Sequence, residues 1–383
     1  MKKTFLALFL LTVIMNSSGQ SFDFQYYKIA EFKDRMGQTS LVDVDNDNDL
    51  DWVFGRFGDM YFFEYNSPEN WVLHEIGKGA STDVGGCPLD VNKDGWIDFV
   101  VGDSWYENTG KPGEESFILH KKNMIGTHDN IAVDIDRDGI KDIVSCSDHR
   151  DHPVLAWYRI PEDHSRNWDY RKIGNGIHGG IAPRGYGDLD NDGDLDIVRG
   201  NSWFENLDGK GQSWKEHNSL VPPGGNRPDI YGLALRTWCI DIDNDNDLDI
   251  IEAEADTPDG RVFWFENLGD AGSFKFHPIT SASTGQDFHS LAVADFDGDG
   301  DMDIVSGGGP LSRDDYKLFI WENLSGNGSS WKEHVILEGI EVHEIVAGDV
   351  DNDGDPDICS KPWEGGTHFF LENKANDLNK VFI

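Results

Sequence analysis

The chain has 383 residues, of which 71 are Asp or Glu and 32 are Lys or Arg, giving a formal net charge of −39. That balance excludes nucleic acid as a partner, because a polyanion needs a basic footprint that releases counterions. With 38% hydrophobic and 12% aromatic residues, 13 of them Trp, the chain carries ample core material and is not an acidic disordered tail.

The first element in chain order is an address. Lys2 and Lys3 precede an apolar run from Phe5 to Met15, followed by Asn16, Ser17, Ser18 and Gly19. This is the order of a secretory signal peptide, so residues 1–19 are expected to be cleaved and residues 20–383 to form a single secreted or periplasmic domain. The run is too short to span a bilayer, and no later segment approaches the roughly 18 apolar residues of a transmembrane helix, so the chain is read as not membrane-spanning. Cys87, Cys146, Cys239 and Cys359 lie far apart without paired spacing and read as small buried hydrophobes.

A nine-residue acidic pattern then recurs seven times, with start-to-start spacings of 47, 44, 54, 53, 54 and 54 residues. Its positions 1, 3, 5 and 9 are Asp43, Asp45, Asp47 and Asp51 in the first copy, and Asp90, Asn92, Asp94 and Asp98 in the second. They are Asp134, Asp136, Asp138 and Asp142 in the third, Asp188, Asp190, Asp192 and Asp196 in the fourth, and Asp241, Asp243, Asp245 and Asp249 in the fifth. The sixth has Asp295, Asp297, Asp299 and Asp303, and the seventh Asp349, Asp351, Asp353 and Asp357. Carboxylates at this spacing in a tight turn converge hard oxygen ligands, and Gly or Asn at position 6 permits positive φ, which suits structural calcium. The second and third loops are diluted by Asn92 and Lys93, and by Arg137 and Lys141, which leaves a metal-free acidic hairpin open for those two.

Between loops the sequence predicts four short strands per repeat: apolar strands before and after the loop, an aromatic strand ending in Glu-Asn (Trp203-Phe-Glu-Asn, Trp264-Phe-Glu-Asn), and a fourth marked by Trp214-Lys-Glu-His or Trp331-Lys-Glu-His. Such units at this period describe an all-β fold, a seven-bladed β-propeller of four-stranded antiparallel blades with calcium-binding hairpin loops. Phe22–Ala30 resembles a fourth strand and is expected to complete the last blade, with Leu378–Ile383 as the competitor. The seven DxDxDGxxD loops between apolar strands resemble the FG-GAP or VCBS repeats of seven-bladed propellers, the architecture of integrin alpha-chain heads.

Features that do not repeat are the better functional candidates. His74, His120, His217, His277 and His334 recur on fourth strands and read as structural. His128, His289 and His343 instead lie six residues before their loops, roughly 20 Å along a strand from the calcium end. They are expected to meet at the opposite mouth of the channel, where three imidazoles suit a zinc-like divalent ion with an open position. The other reading is separate hydrogen-bonding residues lining a wet channel. His178, Tyr231, Arg184, Tyr186, Arg236 and Trp238 cluster in blades 4 and 5, with His149, His152, Glu252, Glu254, Lys361 and Trp363 as further candidates for the same face. Aromatic rings, cations and carboxylates in one cleft suit a carbohydrate.

The loops, the Trp-Lys-Glu-His strand and the His ahead of the loop are together similar to the propeller domain of the aldos-2-ulose dehydratase family. That resemblance implies a metal-dependent lyase that eliminates water from a keto-sugar; the chain has no room for the family's additional cupin and lectin-like domains. On this reading His178 or His149 is the candidate base, Tyr231 or Tyr186 the acid, and Arg184 or Arg236 the clamp. The alternative is a non-enzymatic, calcium-stabilised carbohydrate-binding or adhesion propeller.

Overall fold

The computed structural model describes residues 22–125, 127–148, 151–226, 235–280, 284–313 and 316–375. The expected signal peptide (1–19), His149, Tyr231 and the Leu378–Ile383 segment lie outside them. The described residues are all-β, with no helix.

Hydrogen bonding joins the strands into six sheets that resolve into seven four-stranded units. The third unit is representative: Thr127–Val133, Asp142–Ser147, Leu155–Arg159 and Asp169–Gly174 pair antiparallel in that order. Every residue of Asp142–Ser147 is buried, because a second strand is covered on both faces by neighbouring units and so reads as an apolar run rather than an alternation.

The core is divided among the seams between units. Seven apolar clusters each join two consecutive units, from Phe62 with Phe99 and Tyr106 through Trp264 with Phe288 and Trp321. The seventh packs Trp52 and Phe54 of the first unit against Cys359 and Phe370 of the last, which closes the ring. Burying each large apolar side chain stabilises the fold by roughly 1.5–3 kcal/mol, so every unit depends on both neighbours. The Asn of the Glu-Asn strands stitches the same seams: Asn108, Asn206, Asn267 and Asn373 each donate to a carbonyl of the preceding unit, at Val44, Ile135, Leu189 and Phe296.

Closure uses the N-terminal strand. Phe24–Val42 runs antiparallel to Glu364–Asn373 from Phe24 opposite Asn373 to Arg35 opposite Glu364, then shifts register and pairs Met36–Val42 with Asp51–Arg56. One continuous strand is thus the outer edge of the last unit and the inner edge of the first. The four cysteines are buried and free, as expected. The recurring histidines are also accounted for: Nε2 of His74, His120, His217, His277 and His334 lies 2.6–2.7 Å from Glu64, Glu107, Glu205, Glu266 and Glu322 respectively.

Candidate functional site at the channel mouth

Each innermost strand runs from one mouth of the channel to an acidic loop at the other. In six of the seven loops the position-1 carboxylate accepts the amides of positions 5 and 6, as Asp43 does from Asp47 and Asn48. The position-9 carboxylate is buried and accepts the position-2 amide, as Asp249 does from Ile242 at 3.1 Å while also taking the Asn267 amide at 2.8 Å. Positive φ occurs at position 6, as expected, and also at position 4, where Asn46, Lys93, Arg137, Asn191, Asn244, Gly298 and Asn352 lie. No single residue type marks that second turn in the sequence.

The loops gather carboxylates that burial and mutual repulsion hold back from ionising. Burial pushes the position-9 carboxyls up, to about 8 for Asp51, Asp142, Asp196, Asp249 and Asp357 and to about 7 for Asp98 and Asp303; nearby loop carboxylates add to the rise and buried amides oppose it. Carboxylate oxygens of Asp43, Asp45 and Asp51 lie within 4.8 Å of one another, as do those of Asp188, Asp190 and Asp192. Acids that suppress one another's ionisation are the groups a calcium ion relieves.

At the other mouth the unrepeated residues form a nearly continuous arc. His289 and His343 stack with ring centroids 3.7 Å apart, and His343 stacks in turn on Trp363 at 4.7 Å. His128 lies 4.4 Å from His178. Asp256, which the sequence reading did not single out, joins the two pairs: its Oδ2 is 2.8 Å from His178 Nε2 and 3.7 Å from His289 Nε2. The three expected histidines therefore reach one mouth as members of two pairs, with His178 as the partner of His128. Ligating atoms of His128, Asp148 and His178 come within 4.8 Å of one another, and so do those of His289, His343 and Glu344.

The backbone is shaped for this arrangement. His178 itself has φ of 60°, a strained value for a side-chain-bearing residue, and the following Gly179 has φ of 75°. A Cβ on Gly179 would come within 2.8 Å of His128 Nδ1 and 2.9 Å of Asp129 Oδ1, so only glycine lets that turn lie against the imidazole. Asp129 fixes His128 through a 2.8 Å bond to Nδ1 and accepts the amides of Ile181 and Ala182. His289 Nδ1 donates to the carbonyl of His343 at 3.1 Å, which turns its Nε2 toward Asp256.

Charge in the mouth is graded. Burial alone would raise the Asp256 carboxyl, but His289 and His178 outweigh it and hold Asp256 well below the usual carboxylate range. Burial would lower His289, and Asp256 overrides it to raise the imidazole. His343 goes the other way: burial first, then the charges of His289 and Lys361, hold it far below an ordinary imidazole. The two stacked imidazoles are therefore pushed in opposite directions by their surroundings. Asp287 is pushed up to about 6 by burial, against the pull of His289.

The channel below contains a cavity of about 350 Å³, lined in part by Gln38, Asn130, Tyr186, Arg236, Trp238 and Glu344. Unpaired polar atoms of Gln38, Asn130, Arg236 and Trp238 are buried along it. Arg236 also faces the smaller space among His128, His178, Asp256 and His289, and lies 3.6 Å from Glu344. Lys361 is fully buried 3.7 Å from Glu344, its ammonium lowered by burial. The remaining candidates are not part of this group: Arg184 and His152 are exposed, Glu254 is engaged by Arg261, and Glu252 is buried within the strand Asp249–Glu254. A signal for the missed acids was present in the chain, since His128 and His343 are each followed directly by a carboxylate, Asp129 and Glu344.

The chain is a propeller-like β-protein that carries FG-GAP-like repeats. The FG-GAP-like repeat family matches residues 134–199 and 241–306, each span running from one acidic loop through the next. Among solved structures, a lectin of Agrocybe aegerita described as recognising non-reducing terminal N-acetylglucosamine is 16% identical, with a TM-score of 0.52 over 79% of this chain and 80% of that one. BBS1N, solved in complex with ARL6DN, is 10% identical, with a TM-score of 0.56 over 91% of this chain and 96% of that one. At these identities the likeness is one of fold. No curated protein matches the chain in sequence.

Proposed function

We propose that the mouth is the active site of a metal-dependent carbon–oxygen lyase that eliminates water from a keto-sugar or related carbohydrate, in an exported protein whose loops hold structural calcium. The observation that carries this reading is the convergence of His128, His178, Asp256, His289 and His343 on one opening beside a channel cavity. The cavity volume of about 350 Å³ lies at the small end of the ~300–1,000 Å³ typical of ligand pockets, which favours a single sugar ring over a polymer.

Two sets of ligating atoms in the mouth suit a divalent ion, His128 with Asp148 and His178, and His289 with His343 and Glu344. An ion so held would polarise the sugar carbonyl and stabilise the enolate left by α-proton removal. His178, oriented by Asp256, is the base that takes the α-proton. Arg236 faces both the mouth and the channel and clamps a hydroxyl or the developing oxyanion. Tyr186, on the channel wall, is the candidate acid for the departing oxygen.

His289→Ala is expected to remove the mouth ion, measured as one equivalent of a zinc-like metal per chain by plasma mass spectrometry, and with it the elimination product from 1,5-anhydrofructose-type keto-sugars. An unchanged metal content in that variant would contradict the assignment.

The similarity to a lectin favours one second reading, a non-enzymatic carbohydrate-binding propeller. It predicts glycan affinity that survives His289→Ala, no zinc-like ion and no elimination product.

A further inference from the structure

The third acidic loop differs from the other six in its counter-charge. We propose that the guanidinium of Arg159 occupies the cation position of that loop, so that Asp134–Asp142 is closed by an internal ion pair instead of calcium. The inference rests on the calcium reading of the other loops.

The reason begins one strand away. In the fourth and fifth units Trp203 faces His217 and Trp264 faces His277, and the residue two beyond each Trp is the Glu that holds the His. In the third unit the matching pair is Trp157 facing Arg171, and the residue two beyond Trp157 is Arg159. Both members of the Glu–His pair are thus replaced by arginine, and two cations cannot pair with each other.

Arg159 turns to the loop instead. Its Nε donates to Asp136 Oδ2 at 2.9 Å, and its Nη2 donates to Asp138 Oδ2. That the position faces the loop is visible in the second unit too, where Asn92 Nδ2 donates to Glu107 Oε1 at 3.3 Å. In the other six loops the position-5 amide donates to the position-3 side chain. Among the described residues that bond is missing in the third loop, where the Asp136 carboxylate is directed to Arg159. The loop also carries Arg137 and Lys141 within its nine residues, whereas five of the other loops hold five carboxylates and no cation.

Oxygens of Asp134, Asp136 and Asp142 remain within 4.8 Å of one another, so a calcium ligand set would assemble if the guanidinium withdrew. This gives a test by calcium stoichiometry, read by titration calorimetry and plasma mass spectrometry on the calcium-stripped full chain. Asp136→Asn with Asp138→Asn is expected to leave the wild-type stoichiometry unchanged, the matched Asp190→Asn with Asp192→Asn to lower it by one, and Arg159→Gln to raise it by one. A loss of one ion in the first variant would overturn the proposal while leaving calcium in the other loops intact. If that variant does not fold, the absence of any gain in Arg159→Gln overturns it. A wild-type chain that takes up no calcium at all would overturn both this proposal and the calcium reading beneath it.

Discussion

Calcium-stripped protein is expected to gain stability as pH falls from 8 to 5, whereas the calcium-loaded protein should lose stability over the same range. Without a cation the position-9 carboxyls titrate near 7 to 8 in the fold but near ~3.9 in an unfolded chain. The folded state therefore binds more protons across that interval, and linkage makes it more stable as protons are supplied. Above pH 8 the stripped protein bears the full cost of buried, mutually repelling carboxylates; below pH 4 both states are protonated and the effect is exhausted. Calcium reverses the trend because protons compete with it for the same oxygens.

The size of the effect follows from mass action. At calcium 100-fold above its dissociation constant each independent site contributes about 2.7 kcal/mol, so several sites acting on one cooperative ring should move the melting temperature by at least ~15 °C at pH 8. Thermal melts of dialysed protein at pH 5.5 and pH 8, with and without calcium, measure it directly. Coincident melting curves at pH 8 would show that the loops hold no metal.

Asp256→Asn is expected to lower the rate of keto-sugar elimination by ~10²–10⁴-fold, the range associated with loss of a positioned acid–base group, with the fold preserved. Asp256 has φ of 54°, and asparagine tolerates that left-handed conformation as well as aspartate does, so the substitution changes charge without straining the turn. What is lost is a carboxylate that orients His178 at 2.8 Å and faces His289 at 3.7 Å. A readout independent of turnover accompanies it. In metal-free protein the His289 imidazole, raised by Asp256 against the effect of burial, should titrate at lower pH in the variant when followed by NMR. Elimination within about threefold of wild type, together with an unmoved His289 titration, would remove Asp256 from the machinery.

The parts of this molecule that could be read from its sequence are those that repeat. Asp at positions 1, 3, 5 and 9 recurs at a near-constant period, and both the strand order and the seven-unit count follow from what lies between. The single strand that closes the ring was legible as a fourth strand, but its continuation into the first unit was not. That depends on the register shift between Met36 and Thr39, which no local pattern announces.

The mouth was legible only in part. His289 and His343 share a spacing to their loops, and the fold stacks them as that spacing suggests. His128 shares the spacing yet pairs with His178, which lies ten residues before its loop and arrives through a glycine turn. Asp256 enters from the exit of a second strand in the fifth unit, a place set by the path of an irregular loop rather than by periodicity. Arg159 was hidden for a different reason: an exchange of Glu for Arg gains meaning only once the neighbouring strand is seen to have exchanged its His as well.

Of the 71 acidic residues, 32 are Asp in the seven loops, so much of the charge is local to the turns. The functional claim rests on the other mouth, and anomalous diffraction from crystals grown without added transition metal tests it most directly. One peak with a zinc-like absorption edge is expected among His128, His178, His289 and His343, separate from calcium density at the loops. A mouth without such a peak in crystals of active protein would contradict a metal-dependent site there.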